Sequence, residues 1–199
     1  AASGPAAPQR PVRKPPPGPS RREFLRKSML WGWLGVLGGF GGASLAFLWP
    51  NLKGGFGARI EVDTEEAILS YIQQNREPFA YPAGRMYLVA YDSSLDSGGE
   101  YGEVTQNGQS KVMALYQRCV HLGCRVPWCG SSQWFECPCH GSRYNRWGEY
   151  QDGPAPRGLD RFPLTLEGGR VVVDTAKIIT GPARQSGTLD QPPEGPHCT

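Results

Sequence analysis

Two short stretches constrain this chain more than anything else in it: Cys119-Val120-His121-Leu122-Gly123-Cys124 and Cys137-Pro138-Cys139-His140-Gly141-Ser142. Each offers a cysteine and a histidine at metal-ligand spacing, C-x-H in the first and C-x-x-H in the second, plus one further cysteine. Two thiolates and two imidazoles satisfy either a tetrahedral zinc ion or a [2Fe–2S] cluster with two histidines on one iron. On ligand chemistry alone both remain open, although a four-ligand zinc site has no use for Cys124 and Cys139.

The rest of the chain sets the context for those stretches. At 199 residues and 39% hydrophobic, there is room for one ordinary domain plus appendages. The 27 glycines and 19 prolines favour loops and turns over long helices. The net charge of +3 is unevenly spread: residues 1–28 carry seven basic side chains against Glu23 alone, so taking away their +6 leaves −3 for the remainder. That basic excess precedes an apolar run, so it reads as a topology signal. No basic face interleaved with aromatics supports nucleic-acid binding, which is set aside.

Residues 1–19 are Ala/Pro-rich and without apolar periodicity, and are expected to form a disordered tail. Residues 20–50 read as an export signal and membrane anchor. Ser20-Arg21-Arg22-Glu23-Phe24-Leu25-Arg26-Lys27 looks like a twin-arginine signal, and Ser20 with Glu23 fits a capping box that starts a helix. The plainer alternative is a basic flank that only orients the helix. From Met29 to Trp49 no residue is charged, and 21 residues at the helical rise reach about 31 Å, one bilayer core. Trp31, Trp33 and Trp49 lie near the ends of the run, and Gly35-x-x-x-Gly39 and Gly38-x-x-x-Gly42 make a smooth face for a neighbouring helix. Ser44-Leu45-Ala46 is a weak processing site, but the run stays apolar beyond it, which favours an uncleaved anchor.

Residues 51–58, NLKGGFGA, read as a flexible tether. Residues 59–180 then form the folded domain, mainly short strands. Thr64–Gln74 is its one helical candidate, with acids at Glu65 and Glu66 and apolar Ala67, Ile68, Tyr71 and Ile72. Arg85–Tyr91, Val112–Gln117 and Gln133–Glu136 have strand-like content, and Leu164–Val173 reads as a hairpin around Gly168-Gly169. Short strands with glycine turns argue an all-β sandwich. Residues 181–199 turn polar and Pro-rich, a surface-hugging or loose tail in which His197 is expected to be solvated.

The two cysteine–histidine stretches closely resemble those of the Rieske iron–sulfur proteins of quinol–cytochrome c and quinol–plastocyanin oxidoreductases. That family's pattern is C-x-H-x-G-C, a short spacer, then C-x-C-H-G-S. Every position is filled here, with a twelve-residue spacer from Arg125 to Glu136. By this resemblance Cys119 and Cys137 ligate one iron of a [2Fe–2S] cluster, His121 and His140 ligate the other, and Cys124–Cys139 is a disulfide. Gly153-Pro154-Ala155-Pro156 looks like the family's proline loop over the cluster. The implied fold is an antiparallel β-sandwich base with a small inserted cluster-binding subdomain, preceded by one N-terminal transmembrane helix.

The resemblance also implies a function. Neutral imidazoles in place of anionic thiolates make a cluster less negative, so Rieske centres lie at about −150 to +300 mV against about −400 mV for plant-type ferredoxins. Ser142 and Tyr144 fall where the family has hydroxyl donors to the cluster and to the first cysteine ligand. A histidine bound through one ring nitrogen leaves the other free to bond a substrate, so an exposed His121 or His140 could take an electron and a proton from the same quinol; the family assigns the hydrogen bond to quinol to the second-loop histidine, here His140. Leu122 would belong to the apolar tip that docks on a cytochrome b subunit. The implied protein is a single-pass subunit of a dimeric multi-subunit complex in the bacterial cytoplasmic membrane, its N-terminus cytoplasmic and its cluster domain outside. It would oxidise quinol and pass the electron to a c-type cytochrome, the domain swinging on the 51–58 tether. The competing reading is the small subunit of a molybdenum enzyme such as arsenite oxidase, which usually lacks the Gly-Ser-x-Tyr continuation present here as Gly141-Ser142-Arg143-Tyr144. The family does not require Cys129 and Cys198, which could pair with each other on the oxidising side of a membrane.

Overall fold

The computed structural model describes residues 18–48 and 55–199, in two compact units, the helix and the domain. The helix, α1 (Arg21–Leu48), is 28 residues long and none of its side chains is buried. It begins where the capping residues predicted, with the Glu23 amide donating to Ser20 Oγ at 3.2 Å, and Glu23 pairs with Lys27 one turn on. It is long and apolar enough to cross a membrane. Trp49, most of the expected 1–19 tail and residues 51–54 of the expected tether lie outside the described residues.

The domain holds three antiparallel sheets. In the first, β1 (Arg59–Thr64), β11 (Arg170–Asp174) and β10 (Leu164–Glu167) lie side by side in that order. The β10–β11 hairpin turns at Gly168 and Gly169, both at positive φ, as the sequence predicts. The second sheet runs β2 (Phe79–Tyr81), β3 (Met86–Ala90), β4 (Val112–Tyr116) and β9 (Arg161–Phe162). The third runs β5 (Trp128–Cys129), β6 (Trp134–Glu136), β7 (Arg143–Tyr144) and β8 (Tyr150–Asp152). The other helix, α2 (Glu65–Asn75), starts one residue later than expected because Thr64 is its N-cap, its Oγ1 accepting from the Ala67 amide. Ala67 itself is exposed, and Ile68 alone is fully buried on that helix.

The second sheet is the middle layer. Successive strand residues face opposite sides, and both sides of β3 and β4 are covered. Met86, Leu88, Val112, Ala114 and Tyr116 join Ile60, Ile68, Phe162, Leu164, Val171 and Val173 in one core. The alternate residues Tyr87, Val89, Met113 and Leu115 join Val126, Phe135, Tyr144, Trp147 and Leu159 in the other. The third sheet is thereby clamped to the β base through the same strands that build the base, which positions the loops it carries.

Two surface segments are tied down, one within the expected flexible tether and the other the C-terminal tail, which takes the surface-hugging alternative. Phe56, within the tether expected over 51–58, stacks on Tyr116 at 5.5 Å, and the Gly57 and Ala58 amides donate to Thr175 Oγ1. The C-terminal segment folds back over the third sheet: Cys198 is disulfide-bonded to Cys129, and Gln191 is buried. His197 is not a free solvated residue, since its Nδ1 lies 2.6 Å from the buried Glu136 carboxylate.

Candidate metal centre

Both cysteine–histidine stretches are tight loops with one hydrogen-bond pattern. In the first, the Cys119 amide donates to the Cys124 carbonyl at 2.7 Å and the Gly123 amide to the Cys119 carbonyl at 2.9 Å. In the second, the Cys137 amide donates to the Ser142 carbonyl at 2.8 Å and the Gly141 amide to the Cys137 carbonyl at 3.0 Å. Each loop closes through a glycine at positive φ, +88° at Gly123 and +73° at Gly141, a conformation that side chains rarely adopt. The sequence pattern G at the fifth place of both stretches therefore has a backbone cause.

The fold brings the two loops together tip to tip. Cys124 and Cys139 form a disulfide between them. The His121 and His140 rings meet edge to face with centroids 4.9 Å apart. Cys119 and Cys137 are the two free cysteines of the chain, each only 2% exposed. The histidines lie outward, His140 exposed and His121 half-buried, beside Leu122 at 71% exposure. One end of the donor set is thus enclosed by protein and the other faces outward.

The environment of the thiols fits a cationic centre. Burial pushes the Cys137 thiol up from its ordinary value, and the adjacent Cys119 thiol pushes it the same way. Two buried thiols side by side ionise readily only when a positive ion compensates them. With two such sulfurs, two imidazoles and the remaining cysteines tied in disulfides, the residues fit a [2Fe–2S] cluster of the mixed Cys/His type.

Neighbouring groups complete the site. Tyr144, fully buried on β7, has its hydroxyl 3.2 Å from Cys119 Sγ. Burial raises its pKa, so it stays a neutral hydroxyl available as a donor. Ser142, also fully buried, accepts from the Ala155 amide at 3.2 Å. This ties the second loop to Gly153-Pro154-Ala155-Pro156, where Ala155 is buried and both prolines are exposed. Gly153, at φ +93°, lies so close that a Cβ there would sit 2.6 Å from both the Gly141 carbonyl oxygen and Ser142 Cα. Every sequence-derived site residue thus converges on one end of the domain. Sequence reasoning missed Glu136, whose adjacency to Cys137 was its only signal, and the C-terminal residues that bond to it.

Comparison with known proteins bears on these observations. A profile of the Rieske [2Fe-2S] domain matches residues 86–163. Cytochrome b6-f complex iron-sulfur subunit 1 of the Cyanophora paradoxa cyanelle is 32% identical over 143 residues, which are 72% of this chain and 58% of that protein. The cytochrome b6-f complex iron-sulfur subunit of Chlorobaculum tepidum is 30% identical over 138 residues, 63% of this chain and 72% of its own length. Cytochrome b6-f complex iron-sulfur subunit 1 of Synechocystis sp. is 35% identical over 147 residues, with 72% and 78% covered. The chain thus spans under two thirds of the first relative's length and over two thirds of the other two.

Proposed function

This chain belongs to the Rieske iron–sulfur family, alongside the cytochrome b6-f iron–sulfur subunits, and from that premise we propose that it is the electron-transfer subunit of a quinol–cytochrome c oxidoreductase in a bacterial cytoplasmic membrane. Cys119, Cys137, His121 and His140 would hold the cluster. When bound, such a cluster takes up and releases one electron at high potential. The observation that carries the reading is the polarity of the site: buried cysteines at its base, outward histidines and an exposed Leu122 at its tip.

The surrounding side chains then have separable roles. His140, an exposed residue, hydrogen-bonds a quinol hydroxyl through the ring nitrogen not used for iron and can accept its proton, and the half-buried His121 is the second candidate for that role. Leu122 seats the tip against an apolar socket on a cytochrome b subunit. With a cluster bound, Cys119 would carry no proton, so the Tyr144 hydroxyl 3.2 Å away would donate to its sulfur, withdrawing charge and raising the potential. The Cys124–Cys139 disulfide keeps the two loops at fixed separation.

The same reading places α1 as an uncleaved anchor, with the glycine face against another helix of a dimeric multi-subunit complex. Arg21, Arg22, Arg26 and Lys27 keep its N-terminal end cytoplasmic, and Ser20–Lys27 serves as a twin-arginine signal for a domain exported folded. Two disulfides in the domain support its lying on the oxidising, outer side. The electron acceptor in this reading would be a c-type cytochrome.

A redox titration of the full chain in detergent, followed by EPR over a pH series, tests this. The expected result is a high potential that falls as pH rises through histidine ionisation. A colourless, zinc-containing, EPR-silent protein overturns the cluster reading. A low potential that does not change with pH moves the function to a dioxygenase-type carrier. Quinol-dependent reduction of a c-type cytochrome by membranes containing the chain, absent with His140→Ala, separates quinol oxidation from the molybdenum-enzyme alternative.

A further inference from the structure

The C-terminal residues 188–199 contain no helix or strand, yet polar contacts tie them down along their length to the third sheet and its turns. The Thr188 and Leu189 amides donate to the Glu149 carboxylate, each at 3.0 Å. Trp134 Nε1 donates to the Gln191 carbonyl at 3.1 Å, and the Gln191 side chain bridges the Gln133 carbonyl and the Arg146 amide. The Glu194 amide donates to the Ser132 carbonyl at 3.0 Å, and Arg143 donates to the Thr199 carbonyl at 2.7 Å. The Cys129–Cys198 disulfide closes this strap over a separation of 69 residues.

The strap converges on one carboxylate. Glu136, the last residue of β6 and the neighbour of Cys137, is 1% exposed. It accepts from Ser132 Oγ at 2.6 Å, His197 Nδ1 at 2.6 Å, the Cys198 amide at 2.7 Å, the Thr199 amide at 3.1 Å and Thr199 Oγ1 at 3.4 Å. Four of these five donors come from the last three residues of the strap. A buried charge stripped of its donors cannot stay where it is. Without the strap Glu136 would turn toward water, and the β6 end that begins the second loop would move with it. The first loop has no counterpart to this arrangement: Arg118, the residue before Cys119, is exposed.

We propose that Glu136 is a positioning residue for Cys137, and that the C-terminal strap, clasped by Cys129–Cys198, is the device that holds it there. The inference rests on the reading that Cys137 is a cluster ligand. The strap sets how firmly the second loop holds iron, and the Glu136 charge beside the ligand contributes to the potential.

The test uses the full chain in detergent, with far-UV circular dichroism to confirm folding. Cys198→Ser and His197→Ala are expected to lose visible absorbance to an iron chelator on the order of tenfold faster than the unaltered protein, the usual consequence of removing an outer-shell partner. Glu136→Gln is expected to shift the EPR g-values and raise the midpoint potential, because it removes a negative charge near the cluster. His197→Ala leaves the disulfide intact, so it decides the matter if Cys198→Ser fails to fold. Folded variants with unchanged cluster lifetime, g-values and potential overturn the proposal. An unaltered protein that shows no Rieske signal overturns the cluster reading instead, which separates the two failures.

Discussion

The two loops of the metal centre have the same backbone hydrogen bonds and the same glycine closure, but they are supported differently. The first, Cys119–Cys124, reaches the rest of the site through the Tyr144 hydroxyl and the Cys124–Cys139 disulfide, and carries an exposed leucine, Leu122, at its fourth place. The second, Cys137–Ser142, is backed on one side by the Gly153–Pro156 loop and on the other by Glu136 and the C-terminal strap. The same local conformation therefore serves two ends: a tip free to meet a partner, and an anchored half that keeps the donor set in register. Rigidity at a functional site is supplied from outside the motif, by the residues that enclose it.

Substitutions at the loop-closing contacts test this asymmetry most severely. Gly153→Ala drives a Cβ to 2.6 Å from backbone atoms of the second loop, which cannot give way cheaply. The expected outcome is a chain that holds no cluster, read as loss of visible absorbance. Gly123→Ala meets instead the end of the flexible Arg118 side chain at 3.0 Å. Its penalty should be mainly the strained positive φ, about 1–3 kcal/mol, with the cluster retained. If the two variants behave alike, the difference in backing is not real.

The disulfides offer a second contrast. By loop-closure entropy, Cys129–Cys198, separated by 69 residues, stabilises by about 4 kcal/mol, and Cys124–Cys139, separated by 15, by about 3 kcal/mol. Paired serine replacements should therefore lower the thermal midpoint more at the strap. Cluster loss to a chelator should instead be faster without Cys124–Cys139, the bridge that joins the loops directly. Matching orders in the two measurements would break the distinction between fold stability and site rigidity.

Smaller effects sharpen the comparison. Tyr144→Phe removes the hydroxyl beside Cys119 while keeping the buried ring, a change of about 0.5–1.5 kcal/mol in hydrogen bonding. The midpoint potential should fall while the far-UV spectrum stays unchanged. Leu122→Ala, at an exposed position, should alter stability by less than about 0.5 kcal/mol and leave the potential alone. It should nevertheless slow quinol oxidation in membranes. An unchanged rate there would remove the docking role from the first loop.

Much of this was legible in the chain itself. The donor types, their order and the glycines at the fifth place of each stretch follow from local chemistry and local backbone geometry, which neighbouring residues carry with them. So do α1, whose uncharged run is long, and the β10–β11 hairpin, whose glycines mark the turn. The two-residue strands β5, β7 and β9 were not legible, because two residues hold no period. Nor was the middle sheet's burial on both faces, which decides that Tyr87 and Val89 belong to a different core from Met86 and Leu88.

The sequence by itself determined which atoms could bind metal, and the family that its two motifs resemble. Only the tertiary structure decided which of those atoms are enclosed and which face outward. It also decided that Cys129 meets Cys198, and that the last three residues supply the donors for Glu136. The physical reason is one of range. Ligand chemistry and turn geometry are set within a few residues, whereas burial and pairing arise from contacts between segments that only the packed domain brings together.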